Sequence, residues 1–148
     1  ISFHVFFSLI IGFVTSKFFA LEDRKSLMLS LAFAFLGGVL IDIDHFIDHF
    51  LTFGFNFNYD YFIKGEYFLR SSKAYILFHG FEYVILLGIA AIFIKSKKYK
   101  MILSAFVLAM LSHLLIDTFL FVNPIKGYFI LYRIFHGFNV DMSGGILD

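Results

Sequence analysis

The sequence predicts an all-α integral membrane bundle of about four transmembrane helices. Hydrophobic residues make up 60% of the 148 and charged residues only 16%, where soluble domains carry about 25% charged. Phenylalanine alone occurs 24 times. A chain of this size has too little interior to hide so much apolar surface, so lipid must cover part of it. Four apolar stretches each reach about 20 residues, the length that crosses a hydrocarbon core of about 30 Å. A single proline suits long helices better than a turn-rich sheet. The length fits one membrane domain, 1–148. The absence of cysteine excludes disulfides, iron–sulfur clusters and thiol catalysis. A net charge of +1 implies no nucleic-acid partner.

The first segment, 1–21, opens straight into apolar sequence at Ile1. It has no basic stretch ahead of it and no small-residue cleavage site after it, so it reads as a membrane helix and not a signal peptide. The second, 26–51, carries Gly37-Gly38, which suits close helix approach in lipid. The third is 74–94 and the fourth 101–122. Lys17, Arg24 and Lys25 flank the first short connection, and Lys95, Lys97, Lys98 and Lys100 flank the third. The excess of basic residues there places both connections in the cytoplasm, with the termini and the 52–73 loop outside. In that loop Phe53, Phe55, Phe57, Tyr59 and Tyr61 alternate with Gly54, Asn56, Asn58 and Asp60. Period-2 alternation predicts extended chain, either an aromatic belt at the headgroups or a lid over a site. The tail, 123–148, is expected to lie at the interface.

Polar residues inside these apolar segments carry the functional signal. The second segment ends in Asp42-Ile43-Asp44-His45-Phe46-Ile47-Asp48-His49, and the third opens with His79-Gly80-Phe81-Glu82-Tyr83. The fourth contains Ser112-His113-Leu114-Leu115-Ile116-Asp117, and the first carries His4. An acid at mid-membrane costs about 2.5–3.5 kcal/mol. None of these motifs contains Lys or Arg, so histidines are the partners of suitable character, and a shared divalent cation is the economical neutraliser. His4 lies 13 residues from Lys17, Asp42 17 from Lys25, and His79 16 from Lys95. His113 and Asp117 lie 13 and 17 from Lys100. At 1.5 Å per residue these offsets are roughly 20–26 Å, which brings all of them to one layer near the outer interface.

Spacing within each segment agrees. His113 and Asp117 share a helix face, as do Asp42, His45 and His49, and as do His79, Glu82 and Tyr83. In a regular helix Asp44 and Asp48 point elsewhere; Asp44 would then orient a ligand histidine, or bind after a local break. His49 and His136 read as interfacial, and Ser112 next to His113 makes no triad. His4 precedes Asp42 by 38 residues and His79 precedes Asp117 by the same 38. That spacing suggests two parallel helix-pair repeats about an axis along the membrane normal.

At these residues the chain resembles the membrane-bound metal-dependent hydrolases, small bacterial and archaeal proteins of about four membrane helices. The resemblance rests on His4, Asp42-Ile43-Asp44-His45, His79 and Ser112-His113-Leu114-Leu115-Ile116-Asp117, in that order. Ile41 stands where the family often has proline, and Glu82 stands in the region of a second family histidine. The resemblance implies a hydrolase in the plasma membrane of a bacterium or archaeon. The residues themselves suit one or two transition-metal ions, zinc first and manganese or iron next. A subset of His4, Asp42, His45, His79, His113 and Asp117 would hold them, with Glu82 or Asp44 as general base. The expected substrate is a phosphoester or other ester, small or lipid-derived, met at the extracytoplasmic side. The main rival is a metal-binding or metal-transporting membrane protein, alone, as an oligomer or within a larger membrane complex. A bis-histidine haem bundle is disfavoured by the acids beside the histidines.

Overall fold

The computed structural model describes residues 2–21, 23–120 and 125–139. Ile1, the end of the fourth segment at 121–122 and the end of the tail at 140–148 lie outside the described residues. The described residues are helical throughout their ordered elements, with no strand, in agreement with the all-α expectation. The helices are α1 (Ser2–Phe18), α2 (Arg24–Gly38), α3 (Asp44–Phe53), α4 (Tyr59–Ile63), α5 (Glu66–Ser71), α6 (Phe81–Phe93), α7 (Lys97–Leu120) and α8 (Ile130–Phe135). Short 3-10 turns cover Leu40–Ile43 and Ile125–Tyr128.

α2 starts where the Asp23 carboxylate accepts the Ser26 N–H at 2.9 Å, and hydrogen bonding from the Ser26 side chain, then from its N–H, holds the Asp23 carboxyl below its usual range. It then packs against both α1 and α7, which also touch each other, while α6 packs on α7. Small residues set the spacing. Ala34, Ala105 and Ala109 form the seam, and the Ser30 hydroxyl donates to the Gly12 carbonyl at 2.7 Å. A Cβ at Gly37 would collide with the Phe106 carbonyl of α7, so this glycine permits the approach.

Three segments differ from the periodicity reading. The second is not one helix: it breaks at Val39, and the following 40–53 stretch bends 44° away from α2. Two consecutive glycines are weak helix formers, and the side chains that follow find partners only by leaving the helical path. The third segment is helical only from Phe81; residues 74–80 are irregular, so His79 does not share a helix face with Glu82 and Tyr83. The 52–73 loop is not an extended strip. α3 continues to Phe53, the Asn58 side chain caps α4 by accepting the Tyr61 N–H, and positive φ at Gly54 and Gly65 turns the chain. Part of its aromatic set forms a knot, with Phe62 stacked on Phe46 at 4.3 Å and on Tyr67 at 5.9 Å, while Phe55, Phe57 and Tyr59 stay exposed.

Among the described residues, polar and apolar side chains share the interior, and many large apolar side chains face outward. Apart from Met101 and Leu114, the largest fully buried side chains are Arg133, His49, His79, His113, Asp44, Asp48 and three serines. Phe3, Phe6 and Phe13 of α1, Leu86, Ile92 and Phe93 of α6, and Phe119 of α7 point outward. α7 is long and apolar enough to cross a membrane over Lys97–Phe119, and the bent pair Arg24–Gly38 with Leu40–Phe53 passes the same test jointly. α1 and α6 are apolar but shorter.

The tight α2–α7 seam makes a contrast that can be measured. Gly37→Ala should destabilise by about 1–3 kcal/mol, because backbone must move to admit the methyl group. Gly88→Ala, whose Cβ would meet only ordinary contact at 3.9 Å from Val107, should be neutral or slightly stabilising within α6. Thermal unfolding of the two variants in detergent decides it; equal melting shifts would deny the close packing.

Candidate metal centre

The break after Gly38 sorts three acidic residues. Asp42 lies in the 3-10 turn, half-buried, while Asp44 and Asp48 on α3 are buried and turn toward the irregular 74–80 segment. α7 stays helical past this level and presents His113 and Asp117 one turn apart on one face. α1 brings His4 from the opposite side.

Four side chains close on one point. His79 Nε2 and His113 Nε2 are 3.1 Å apart. Asp42 Oδ1 is 3.3 Å from each of them. Asp117 Oδ2 is 3.1 Å from His113 Nε2 and 3.9 Å from His79 Nε2. Two further histidines flank this set. His4 Nε2 lies 3.3 Å from Asp117 Oδ1, with its ring stacked on His113 at 4.0 Å. His45 Nε2 lies 3.6 Å from Asp42 Oδ1, and its Nδ1 is 3.1 Å from the Tyr67 hydroxyl. All six candidate ligands read from the sequence therefore meet in one place. His4 pairs with Asp117 while His79 pairs with Asp42, so each half of the chain supplies the partner of the other.

The surrounding bonds determine which atoms carry hydrogen. His113 Nδ1 faces the Gly38 carbonyl at 2.9 Å; a carbonyl only accepts, so Nδ1 donates. His79 Nδ1 likewise donates to Asp44 Oδ2 at 3.0 Å. In the neutral rings both Nε2 atoms then carry lone pairs, aimed at each other and at two carboxylates. Acceptors at such distances with no hydrogen between them repel. A proton on one ring would relieve one contact at a time, whereas a metal ion would satisfy all four donors together. Zinc with ligand bonds of about 2.0–2.2 Å needs tetrahedral donor–donor edges of about 3.3–3.6 Å. The edges present are 3.1, 3.3, 3.3, 3.1 and 3.9 Å. Three triads of donor atoms each group closely enough to hold an ion: Asp42 with His79 and His113, His4 with His113 and Asp117, and Asp44 with His45 and His79.

His79 stands on irregular backbone, and charged side chains hold that backbone in place. Asp48 accepts the N–H groups of Tyr75 and Ile76, both at 2.9 Å. Asp44 accepts the Phe78 N–H at 2.6 Å with the same oxygen that takes His79 Nδ1. Arg133 of α8 donates to the carbonyls of Tyr75, Ile76 and His79 at 2.6–2.7 Å. The Ile76 N–H and the Ile76 and His79 carbonyls among them would otherwise be buried orphans. Burial alone draws the Arg133 guanidinium below its usual pKa, and the Asp44, Glu82 and Asp48 carboxylates oppose that shift.

Three expectations are revised here. Glu82 does not join the cluster: its two oxygens accept the Ile130 and Leu131 N–H groups at 3.0 Å and anchor α8. It is the placement of Arg133 that this carboxylate serves, and not a general base at the donor set. Asp44 is a positioning group for His79, the role the regular-helix reading assigned to it. His49 is not interfacial but fully buried in the aromatic knot, its Nε2 3.4 Å from the Asn58 N–H. Arg133 and Tyr67 escaped the motif reading. The signal available was a lone arginine in the apolar run Phe129–Phe138, opposite an excess of buried acids.

The two carboxylates should separate by mutation. Asp44→Ala leaves the Phe78 N–H and His79 Nδ1 without a partner and should weaken zinc binding by about 10–100-fold. Glu82→Gln should leave zinc affinity nearly unchanged while loosening α8. Competition titration against a chelator measures both; equal losses would return Glu82 to the donor set. Comparison with protein-family models, curated proteins and solved structures finds no match to this chain, so the donor geometry stands as its principal functional description.

Proposed function

We propose that the protein is an integral membrane metal-dependent hydrolase acting on a phosphoester or other ester. One observation carries this reading: the acceptor atoms of Asp42 and Asp117 converge on the buried His79 and His113, inside a bundle with many outward-facing apolar side chains. The motif order that resembles the membrane-bound metal-dependent hydrolases supports it. The reciprocal His4–Asp117 and His79–Asp42 pairs, both at 3.3 Å, support two helix-pair repeats around the centre.

When bound, a zinc, manganese or iron ion supplies Lewis-acid activation of water and stabilises charge developing on the ester. The chain's own residues do the rest. Asp44 and Gly38 hold the two histidine rings so that their Nε2 atoms face the ion. Asp42, 31% exposed against 14% for Asp117 and 1% for each histidine, forms the side open to substrate. His45 Nε2, next to Asp42, is the group placed to accept and return a proton, in the role first assigned to Glu82. The many outward-facing apolar side chains support a bilayer environment. Four donors closing fully on one ion would leave it no open position, which favours the rival of a metal-binding protein without hydrolysis.

Two measurements test this. Protein purified in detergent should cleave a nitrophenyl phosphoester probe, lose the activity to a chelator and regain it with zinc or manganese. His45→Gln should keep the metal and lower the rate by about 10²–10⁴. Full metal occupancy with no ester cleaved would leave the rival standing. For topology, cysteines placed singly at the exposed Asn58 and Ser96 should label from opposite sides with an impermeant maleimide, Asn58 from outside. Labelling of both from one side would end the spanning arrangement.

A further inference from the structure

Resting on the metal-centre reading above, we propose that the gap between α2 and α6 seats the hydrocarbon tail of a membrane lipid. The anionic ester headgroup of that lipid faces Asp42 and His79. α7 packs against both α2 and α6, but those two barely touch each other. The result is a cavity of about 420 Å³. Phe106 and Met110 of α7 form its floor, and Leu36 and Leu87 form its walls. Its volume lies within the usual range for small-ligand sites, about 300–1,000 Å³. Tyr83 brings the one hydroxyl to a lining otherwise made of hydrocarbon and aromatic rings.

Position and size select the occupant. Ile41 and Phe78 line the cavity, and they are the chain neighbours of Asp42 and His79. The apolar gap therefore comes within one residue of two donors along the chain. A ligand that fills both places needs an oxygen-rich, anionic end for the cation and an apolar end for the gap. A second copy's helix is about 10–12 Å across and too wide for this volume. A single hydrocarbon chain fits it. Leu36, Leu40 and Phe78 are partly exposed at the mouth, so the tail can enter sideways from the lipid that covers the outer faces of α1 and α6.

The test uses zinc-loaded full-length protein in phosphatidylcholine vesicles and a phosphatidic acid carrying a diazirine midway along one acyl chain. After photolysis, peptide mapping should find adducts on Phe78, Leu87 and Met110 about tenfold above those on the outward-facing Phe13, Phe93 and Phe119, a preference of about 1.4 kcal/mol. Leu87→Trp, which fills the gap, should abolish that preference while zinc content stays the same. Should that variant not fold, the wild-type map decides by itself. Adducts spread evenly over the outer belt overturn the proposal, as do crosslinks from the gap to a second copy of the chain. Zinc content of the same samples separates the two readings: gap adducts on a protein that holds no zinc would overturn the metal centre and leave the tail site. Zinc-bound protein labelled only on its belt would do the reverse.

Discussion

The interruption of the helical path between Gly38 and Asp44 is the constraint on which the rest depends. A continuous helix would have committed the Gly38 carbonyl to its own ladder and pointed Asp42 and Asp44 to different sides at fixed angles. Once the path breaks, that carbonyl receives His113 Nδ1 and orients the ring. Asp42 swings to the donor set, and Asp44 and Asp48 reach the 74–80 segment on the far side. Gly37 and Gly38 make this geometry available twice over, by yielding as helix formers and by letting α7 come close enough for His113 to arrive.

A second consequence concerns irregular backbone in an apolar molecule. Seven residues before α6 give up helical hydrogen bonds, an expensive state away from water. Asp44 and Asp48 take the N–H groups and Arg133 takes the carbonyls. The three charges thus act as a backbone scaffold as much as an ion cluster. This explains why so many ionisable groups are buried away from the donor set itself. It also explains α8, a short helix whose task is to carry Arg133 under the segment, with Glu82 holding its first turn.

The donor set is asymmetric in a way that bears on chemistry. Its histidines are sealed from solvent, whereas Asp42 and, beyond it, His45 lie toward the opening. Binding groups deep and exchangeable groups shallow is the arrangement that keeps an ion in place while a ligand comes and goes.

What could be read from the chain alone was the depth of each polar residue. Helical rise is constant, so counting from the basic ends places His4, Asp42, His113 and Asp117 in one layer without knowledge of the packing. The helical class followed from the long apolar runs, and a cation-hungry cluster from acids and histidines in the wrong solvent. The tertiary structure decided everything that turns on partners remote in sequence. Asp44 meets His79 across 35 residues, Arg133 meets the His79 carbonyl across 54, and His113 meets the Gly38 carbonyl across 75. Periodicity assumes that backbone bonds are made within a helix. Where side chains supply those bonds from elsewhere, at the Gly38 carbonyl and along 74–80, the local pattern carries no record of it. The helix break, the irregular seat of His79, the diversion of Glu82 to α8 and the role of Arg133 therefore became visible only once the chain had folded.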